Sequence, residues 1–273
     1  MDVKGRVGVV TGGASGIGWA TTMKFAREGL AAIGVVDMHP ATAEMCAAAN
    51  KELGREVLIP FAGDVVKAEF RDEVFETLEK RFGPVALCVP AAGITRDRLC
   101  VKVKANNGST TFSLYSEDDF RRTIDVNLLA PVYWAMRTVA SVAVDRAKRE
   151  LGPWQPEEGV QGGIVLIGSV SSAGNRGQIS YATTKAGLEG AQATLSMEAI
   201  YYGVRCAIIH PGFTDTPMVR ALGDDLIRQR ILPHTQLRRL IRPEEIAEAI
   251  FFMLSNSSIS GCLWADAGWY PNG

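Results

Sequence analysis

The amino-acid sequence predicts an α/β fold, doubly wound around one parallel sheet of about seven strands with helices on both faces. Short apolar segments alternate with helical patterns along the whole chain. Within each segment the apolar residues are continuous, as in parallel strands that are buried on both faces. The chain contains no evident linker or internal repeat, so a single domain is expected to span residues 1–273.

Seven segments carry the strand pattern. In chain order they are RVGVVTG, AAIGVVD, EVLIPF, VALCVPA, GGIVLIGS, GVRCAIIHPG and GCLWADAG. Between the third and the fourth, apolar residues recur every four positions from Phe70 to Phe82 and the pattern stops at Gly-Pro, which predicts an amphipathic helix.

Two stretches, 101–116 and 151–163, are polar or rich in Pro and Gly and interrupt this alternation. We predict that both are loops. The first follows the fourth strand and is expected to shape a ligand pocket there. The second precedes the fifth strand and is expected to cover the surface.

The composition is that of an ordinary globular protein, with 47% hydrophobic residues, 22% charged residues and a formal net charge of −1. Without a basic excess, neither nucleic acid nor an anionic membrane is an expected partner. There is no apolar run of ~18 residues and no signal-peptide pattern, so we expect a cytoplasmic protein. Five scattered cysteines indicate reduced thiols, and three widely spaced histidines predict no metal site.

The first strand leads into a glycine-rich turn, TGGASGIG, at residues 11–18, and then directly into a helix. Gly12, Gly16 and Gly18 hold three key places, because glycines let the backbone turn tightly and approach a pyrophosphate. The N-terminus of the helix adds free N–H groups and the positive end of a dipole. The arrangement predicts a Rossmann-type dinucleotide site.

An acidic residue, Asp37, ends the second strand nineteen residues after Gly18. An acid at this point can accept both ribose hydroxyls of an adenosine and would repel a 2′-phosphate. Neither Met38, His39 nor Ser15 supplies a cation for that phosphate. The sequence therefore favours NAD over NADP, although a helix N-cap or a solvated loop acid remains an alternative for Asp37.

Tyr181 and Lys185 are four residues apart in SYATTKAG (180–187), so they would share one face of a helix. An ammonium group near a phenol favours the phenolate and lowers its pKa, which would give an acid or base that works near neutral pH. Taken alone, such a pair is more often a solvated helix face.

Further segments lie along the chain in a characteristic order. After TGGASGIG come GDV (63–65), PAAG (90–93), VN (126–127), GS (168–169), YATTK (181–185) and HPGFTDTPM (210–218). Together they resemble the short-chain dehydrogenase/reductase family over essentially the whole chain. The resemblance implies a Rossmann fold and transfer of a hydride between a nicotinamide cofactor and a secondary alcohol or ketone.

The resemblance implies four catalytic residues. Tyr181 would exchange a proton with the substrate oxygen, and Lys185 would lower the pKa of Tyr181 and hold the nicotinamide ribose. Ser169, just after a strand, would hydrogen-bond the reacting oxygen. Asn127 would hold a water of a proton relay through its main-chain carbonyl.

The same resemblance, together with the glycine turn, implies a set of residues that contact the cofactor. They are Gly12, Ser15, Gly16, Ile17, Gly18, Asp37, Asp64, Val65, Ala92, Gly93, Tyr181, Lys185, Pro211, Gly212, Thr214 and Thr216. Asp64 and Val65 would meet the adenine, and the segment 211–216 would lie on the nicotinamide side.

Pro131 stands four residues after Asn127, inside a helix that Ser116 is expected to cap. A proline has no N–H for the carbonyl four residues back. We therefore hypothesise that Pro131 keeps the Asn127 carbonyl free, with a simple helix kink as the alternative.

The sequence departs from the family pattern at several points. Pro90 replaces a polar residue, which is expected to weaken a hydrogen bond between central strands. Ser169 precedes Tyr181 by twelve residues, one fewer than is common, so Ser171 and Ser172 are rivals for its role. The tail has Ala267 where glycine is common.

The function implied is an NAD(H)-dependent oxidoreductase that acts on a secondary alcohol or ketone. A 3-oxoacyl thioester reductase is an alternative, because GITRDRL (93–99) resembles such enzymes, and a non-catalytic NAD-binding sensor is a remote one. A lid is expected at 214–241. A homotetramer or homodimer is expected through helices within 117–150 and 178–202.

Overall fold

The computed structural model describes residues 1–106 and 109–270. The strands are β1 (Val7–Thr11), β2 (Ala32–Asp37), β3 (Leu58–Ala62), β4 (Val85–Pro90), β5 (Val101–Asn106), β6 (Ser109–Leu114), β7 (Gly162–Ile167), β8 (Val204–Pro211) and β9 (Gly261–Ala265). The helices are α1 (Gly16–Arg27), α2 (Thr42–Leu53), α3 (Ala68–Phe82), α4 (Glu117–Ile124), α5 (Ala130–Lys148), α6 (Ile179–Ala199), α7 (Pro217–Arg220), α8 (Asp224–Leu226) and α9 (Pro243–Ser255).

The main sheet confirms the predicted doubly wound fold. Its seven strands run in the order β3-β2-β1-β4-β7-β8-β9, and every neighbouring pair is parallel. The chain first builds outward from β1 to β3 and then crosses to β4 on the other side of β1. The carboxyl ends of β1 and β4 therefore flank the point where the strand order reverses, which is where such sheets bind their ligands.

Each face of the sheet carries its own hydrophobic core. On one face the rings of Phe75 and Trp134 pack with their centroids 5.8 Å apart, and the Trp134 indole donates to the Val65 carbonyl at 2.9 Å. The other face buries Phe25 of α1 and Ile250 of α9. Successive side chains of a strand point to opposite faces of the sheet. Because both faces are covered, both sets of side chains can be apolar, as the continuous apolar segments of the sequence predicted.

The ladder between β4 and β7 is short. It contains the pairs Leu87↔Gly163 and Cys88↔Ile164, whereas β7 and β8 pair over six residues. The ladder ends two residues before Pro90, which has no N–H to donate. The expectation that the missing polar side chain at Pro90 weakens a hydrogen bond between central strands stays a prediction.

The prediction of a loop over 101–116 is wrong. Strands β5 and β6 form an antiparallel two-stranded sheet, in which Val101 pairs with Leu114 and Val103 with Phe112. Apolar and polar residues alternate in both strands, so the pattern has the period of a strand although no core lies beneath it. The predicted loop also includes residues 107–108, which lie outside the described part of the chain.

The stretch 151–163 is irregular apart from one 3₁₀ turn, Pro156–Glu158, and the start of β7, so the prediction of a surface loop is confirmed. Glu158 holds it in place by an ion pair to Arg146, whose guanidinium is 2.6 Å away and buried. This ion pair ties the stretch to α5 and so fixes the conformation of a segment rich in Pro and Gly.

Among residues 1–106 and 109–270, none of the helices combines the length and the apolar character that crossing a membrane requires.

We expect Phe75→Ala to lower the free energy of unfolding by about 3–5 kcal/mol, because it empties a fully buried site beside Trp134. Phe252→Ala makes the same chemical change on the half-exposed side of α9 and should cost much less. Denaturant titrations measure both through the unfolding midpoint at unchanged slope. Equal losses in the two variants would contradict the position of the core.

Candidate active site

A cavity of about 380 Å³ opens at the carboxyl ends of β1 and β4. All but three of the residues predicted to contact a cofactor line it. The exceptions are Pro211, Gly212 and Thr214. Gly212 lines a smaller neighbouring cavity, and the Thr214 side chain is buried and donates to the Gly212 carbonyl. Residues from the glycine turn to Thr216 thus surround one space.

The glycine turn is packed so closely that side chains would not fit. A Cβ on Gly12 would lie 2.8 Å from the Ala92 backbone, and one on Gly18 would lie 2.0 Å from the Gly12 carbonyl oxygen. Ser15 precedes α1 in an extended conformation, and its side chain makes no capping bond to the helix. The first N–H groups of α1 are thus left for a ligand, so this cradle fits the pyrophosphate of a dinucleotide.

Asp37 joins the end of β2 to the glycine turn. One carboxylate oxygen accepts from the Ala14 N–H and the other from the His39 N–H, both at 3.0 Å. Because α2 begins only at Thr42, the alternative that Asp37 caps a helix does not hold. Each carboxylate oxygen keeps a second lone pair, and the residue lines the cavity, so it can accept hydroxyl groups of a ligand.

Arg122 also lines the cavity, and the sequence analysis did not single it out. Its guanidinium donates to the Asp64 carboxylate at 3.1 Å. The basic pair at 121–122 follows the acidic first turn of α4, a spacing that by itself indicates only an exposed helix face.

Tyr181 and Ser169 meet where α6 begins beside the end of β7. Both side chains line one small cavity. Burial raises the pKa of the Tyr181 phenol, and the interaction with the Ser169 hydroxyl offsets part of that rise. The rival serines point elsewhere: Ser171 donates to the Gln178 side chain at 2.8 Å, and the Ser172 hydroxyl lies 3.4 Å from the His210 ring. The geometry therefore favours Ser169 as the partner of Tyr181.

The Lys185 ammonium group lies in the interior, 5.5 Å from the centre of the Tyr181 ring. It donates to the Ile167 carbonyl at 2.7 Å, which joins α6 to β7. Burial lowers the pKa of Lys185 to about 8. The predicted neighbours on one helix face are therefore brought together, and in the core rather than in solvent.

The expectation that Lys185 lowers the pKa of Tyr181 is wrong for this structure. The pKa of the phenol is raised to about 12, mainly by burial, while the interaction with Ser169 lowers it and the charge of Asp97 raises it. The ammonium lies over the ring and bonds a carbonyl, so it does not offset the loss of hydration at the phenol oxygen.

Asn127 is fully buried, and its side-chain amide bonds the backbone of Ile94 twice, as donor and as acceptor, at 2.8 Å each. Its main chain lies in a π-helical turn, Asp125–Leu129, which the sequence did not reveal. Such turns often occur at functional sites. Pro131 follows in the first turn of α5 and has no N–H to donate, and the hypothesis that it keeps the Asn127 carbonyl free stays a prediction. Ser116 caps α4 as predicted, accepting from the Asp119 N–H.

A smaller cavity of about 80 Å³, which Ser169 lines, adjoins the first at Tyr181 and Met218. Its other walls are mainly apolar and come from Val170, Phe213, Met218, Val219 and Leu222. Asp97 and Gln178 add polar groups, joined by a 2.7 Å bond from the Gln178 amide to the Asp97 carboxylate. The segment GITRDRL carried the resemblance, but neither of these two side chains was singled out from the sequence.

The predicted lid at 214–241 contributes Met218, Val219 and Leu222 to this cavity. Its arginines do not line it: Arg220 pairs with Asp215 at 2.5 Å and Arg228 with Asp225 at 3.0 Å. These ion pairs agree with the interpretation that the arginines are surface charges, and they do not support the alternative that the arginines attract an acidic substrate.

The chain is similar in sequence to several known reductases. A family model described as Enoyl-(Acyl carrier protein) reductase matches residues 12–269. The chain is 32% identical to the 3-oxoacyl-[acyl-carrier-protein] reductase of Thermotoga maritima over 259 residues, which cover 94% of each protein. It is 30% identical to the acetoacetyl-CoA reductase of Allochromatium vinosum over 257 residues, which cover 93% of this chain and 92% of that protein.

A solved structure supports the fold independently. The crystal structure of a short-chain dehydrogenase/reductase from Brucella melitensis, described as a glucose/ribitol dehydrogenase, aligns with a TM-score of 0.79. The alignment covers 98% of both chains at 24% identity, so the likeness concerns the fold alone.

We expect Lys185→Met to stabilise the protein at pH 7, by up to about 3 kcal/mol. The lysine titrates at about 8 in the folded chain and near 10.5 when unfolded, so the penalty is full below pH 8 and disappears as the pH rises through 10.5. The gain should therefore shrink over that range. Denaturant titrations at several pH values measure it, with the exposed Lys148→Met as the control. A gain independent of pH would contradict the burial of a charge.

Proposed function

We propose that this chain, which belongs to the short-chain dehydrogenase/reductase family, uses its oxidoreductase site to reduce the 3-oxo group of a 3-oxoacyl thioester with NADH. The single observation that carries the proposal is the meeting of Tyr181, Ser169 and Lys185 between a dinucleotide cradle and a small apolar cavity. The names of two relatives, a 3-oxoacyl-[acyl-carrier-protein] reductase and an acetoacetyl-CoA reductase, support the thioester.

The proton chemistry follows from the environment of Tyr181. Burial holds the phenol protonated at neutral pH, so it can donate its proton to the oxygen of a substrate carbonyl. The Ser169 hydroxyl beside it would donate a second hydrogen bond to the same oxygen. A bound nicotinamide supplies the hydride to the carbonyl carbon, and the product is the 3-hydroxyacyl thioester.

Lys185 would restore the proton and hold the ribose of the nicotinamide. Its ammonium keeps donors in addition to the one used by the Ile167 carbonyl. With a pKa of about 8 it can release a proton near neutral pH. The main-chain carbonyl of Asn127 would hold the water that connects this ammonium to solvent.

The smaller cavity favours a substrate whose reacting end is short and uncharged. Its walls are apolar, and the Asp97 carboxylate faces the same space. A negative charge there disfavours a free 3-oxo acid, because the Asp97 carboxylate would repel it. A thioester places no charge beside the ketone and avoids this repulsion.

NAD is proposed over NADP on the position of Asp37. Its carboxylate lines the cavity and is fixed by two backbone N–H groups, so it cannot turn away readily from a ribose phosphate. Of the two cations that line this cavity, Arg122 is paired with Asp64 and Lys185 donates to the Ile167 carbonyl. The remaining predicted contacts, Pro211 and Thr214 among them, are proposed to act through the backbone.

Two other functions remain candidates. Oxidation of a different secondary alcohol uses the same residues, and only the walls of the smaller cavity favour the thioester over it. A non-catalytic NAD-binding sensor would have no need of the buried Lys185, whose burial is unfavourable for stability.

We further propose a homotetramer, or a homodimer, that uses the outer faces of α5 and α6. Large apolar side chains on these helices are exposed, including Tyr133 at 49%, Met136 at 47% and Met197 at 72%. Large exposed apolar side chains on packed helices are a feature of subunit interfaces.

A cytoplasmic location is proposed from the thiols. All five cysteines are free, and burial raises the pKa of Cys88 and of Cys206 to about 12. Unpaired thiols are typical of proteins from a reducing compartment.

Tyr181→Phe tests the proposed reaction. With a 3-oxobutanoyl thioester and NADH, turnover should fall by about 10²–10⁴-fold, because the proton donor is lost, while calorimetry should show unchanged NADH binding. The exposed Tyr201→Phe is the matched control. Substantial turnover by Tyr181→Phe would refute the assigned role, and silence of the native protein on the thioester would refute the substrate.

Asp37→Asn tests the cofactor. Removing the charge should raise the efficiency with NADPH relative to NADH by about tenfold or more, which corresponds to ~1.4 kcal/mol. Glu44→Gln removes an equal charge from the nearby α2 without touching the cavity and should change nothing. An unaltered preference in Asp37→Asn would mean that other residues select the cofactor.

A further inference from the structure

His210 is a buried histidine that the proposed chemistry does not use. It lies in β8, is 0% exposed, and its ring stacks on Trp264 of β9 with the centroids 4.3 Å apart. The Nε2 atom is buried without a hydrogen-bond partner and lies 3.8 Å from a Glu189 carboxylate oxygen. Burial of a polar ring nitrogen without a hydrogen-bond partner lowers the stability of the fold, which indicates that His210 has a role other than packing.

The other ring nitrogen contacts the residue after the end of β7. The Nδ1 atom is 3.3 Å from the Ser169 nitrogen and 3.2 Å from the Ser169 carbonyl oxygen, and the Ser172 hydroxyl lies slightly farther away, at 3.4 Å. A neutral imidazole with a bare Nδ1 accepts from the N–H, and the other tautomer donates to the carbonyl. Either tautomer therefore bonds the main chain of Ser169. Burial lowers the pKa of His210, while the Ser169 carbonyl and Glu189 raise it and Lys185 lowers it, so the ring is neutral at pH 7.

Gly168 makes this approach possible. A Cβ on Gly168 would lie only 2.5 Å from Nδ1 of His210 and 3.1 Å from the Ile209 carbonyl oxygen. The backbone N–H of Gly168 donates to that same carbonyl at 2.7 Å. A glycine at 168 and a histidine at 210 thus form a matched pair that sets the path of the chain into Ser169.

The position of the Ser169 hydroxyl follows from this path. The residue is extended, with φ −169° and ψ 154°, and its hydroxyl accepts from the Ser171 N–H at 3.1 Å while it interacts with Tyr181. A shift of the Ser169 backbone would move the hydroxyl away from the substrate oxygen.

We propose that His210 is a positioning residue for the oxidoreductase reaction: its Nδ1 fixes the main chain of Ser169 and thereby holds the serine hydroxyl beside Tyr181. This requires only that the site acts on a ketone or alcohol, not that the substrate is a thioester. Misplacement of a catalytic group by about 1 Å can lower turnover by about 10²-fold.

Three substitutions separate positioning from packing. His210→Leu fills a similar volume without a hydrogen bond and should lower kcat by about 10–10²-fold, with the KM for NADH unchanged. His210→Asn places a polar atom near the Nδ1 position and should recover most of kcat. His210→Gln places its polar atom near the Nε2 position and should not. Equal kcat in the Asn and Gln variants, or native kcat in the Leu variant, would overturn the proposal.

A double-mutant cycle tests whether the effect passes through the serine. In a Ser169→Ala background, His210→Leu should cause no further loss of kcat, because the hydroxyl to be positioned is already absent. Multiplied losses would refute the route through Ser169.

Amide hydrogen exchange gives a readout that needs no turnover, so a wrong substrate or cofactor assignment does not affect it. The peptide covering 168–174 should exchange faster in His210→Leu than in the native protein and regain protection in His210→Asn. Peptides from α1 and α9, packed elsewhere, serve as the control for global destabilisation. Unchanged protection at 168–174 in the Leu variant, or a loss that is uniform across the chain, would overturn the proposal.

Discussion

A single hydrogen bond, from the Lys185 ammonium to the Ile167 carbonyl, joins the helix that carries Tyr181 to the strand that leads into Ser169. The bond ties α6 to the end of β7, close to the Tyr181 and Ser169 hydroxyl groups that line one cavity. The bond is 2.7 Å long and buried, where a charge-assisted contact is strong because little water competes for it. The same burial lowers the pKa of the lysine to about 8, so structural and chemical roles cannot be separated in this residue.

The sheet order explains why one edge serves both the cofactor and the reaction. The strand order reverses between β1 and β4, which leaves a gap between the connections that leave the two strands, and the glycine turn fills the floor of that gap. On the far side of β4, β7 ends at the same edge and delivers Ser169. The cavity that begins at the glycine turn therefore also reaches Tyr181 and Lys185.

Much of this arrangement could be predicted from the sequence, because strands, glycine turn and the Tyr-Lys spacing are local patterns. The hairpin of β5 and β6 was missed although its alternation is visible, because the stretch is mostly polar. Its apolar residues, such as Phe112, remain exposed and gave no sign of a buried face. His210 was missed for a different reason. Its partner Ser169 is 41 residues away in sequence, and only the parallel register of β7 and β8 brings the two together. The raised pKa of Tyr181 also depends on burial, which spacing along a helix does not reveal.

The groups around Ser169 share one thermodynamic property: each is polar, buried and incompletely satisfied. Lys185 carries a charge into the interior, and the Nε2 atom of His210 has no hydrogen-bond partner. Apolar replacements at such positions commonly stabilise a protein and remove its activity, because the polar group serves the reaction rather than the fold. The hydrophobic cores on both faces of the sheet can offset these terms, since each buries several large side chains. The site therefore depends on cores some distance away from it, and weakening those cores should loosen Ser169 and Tyr181 before the sheet itself comes apart.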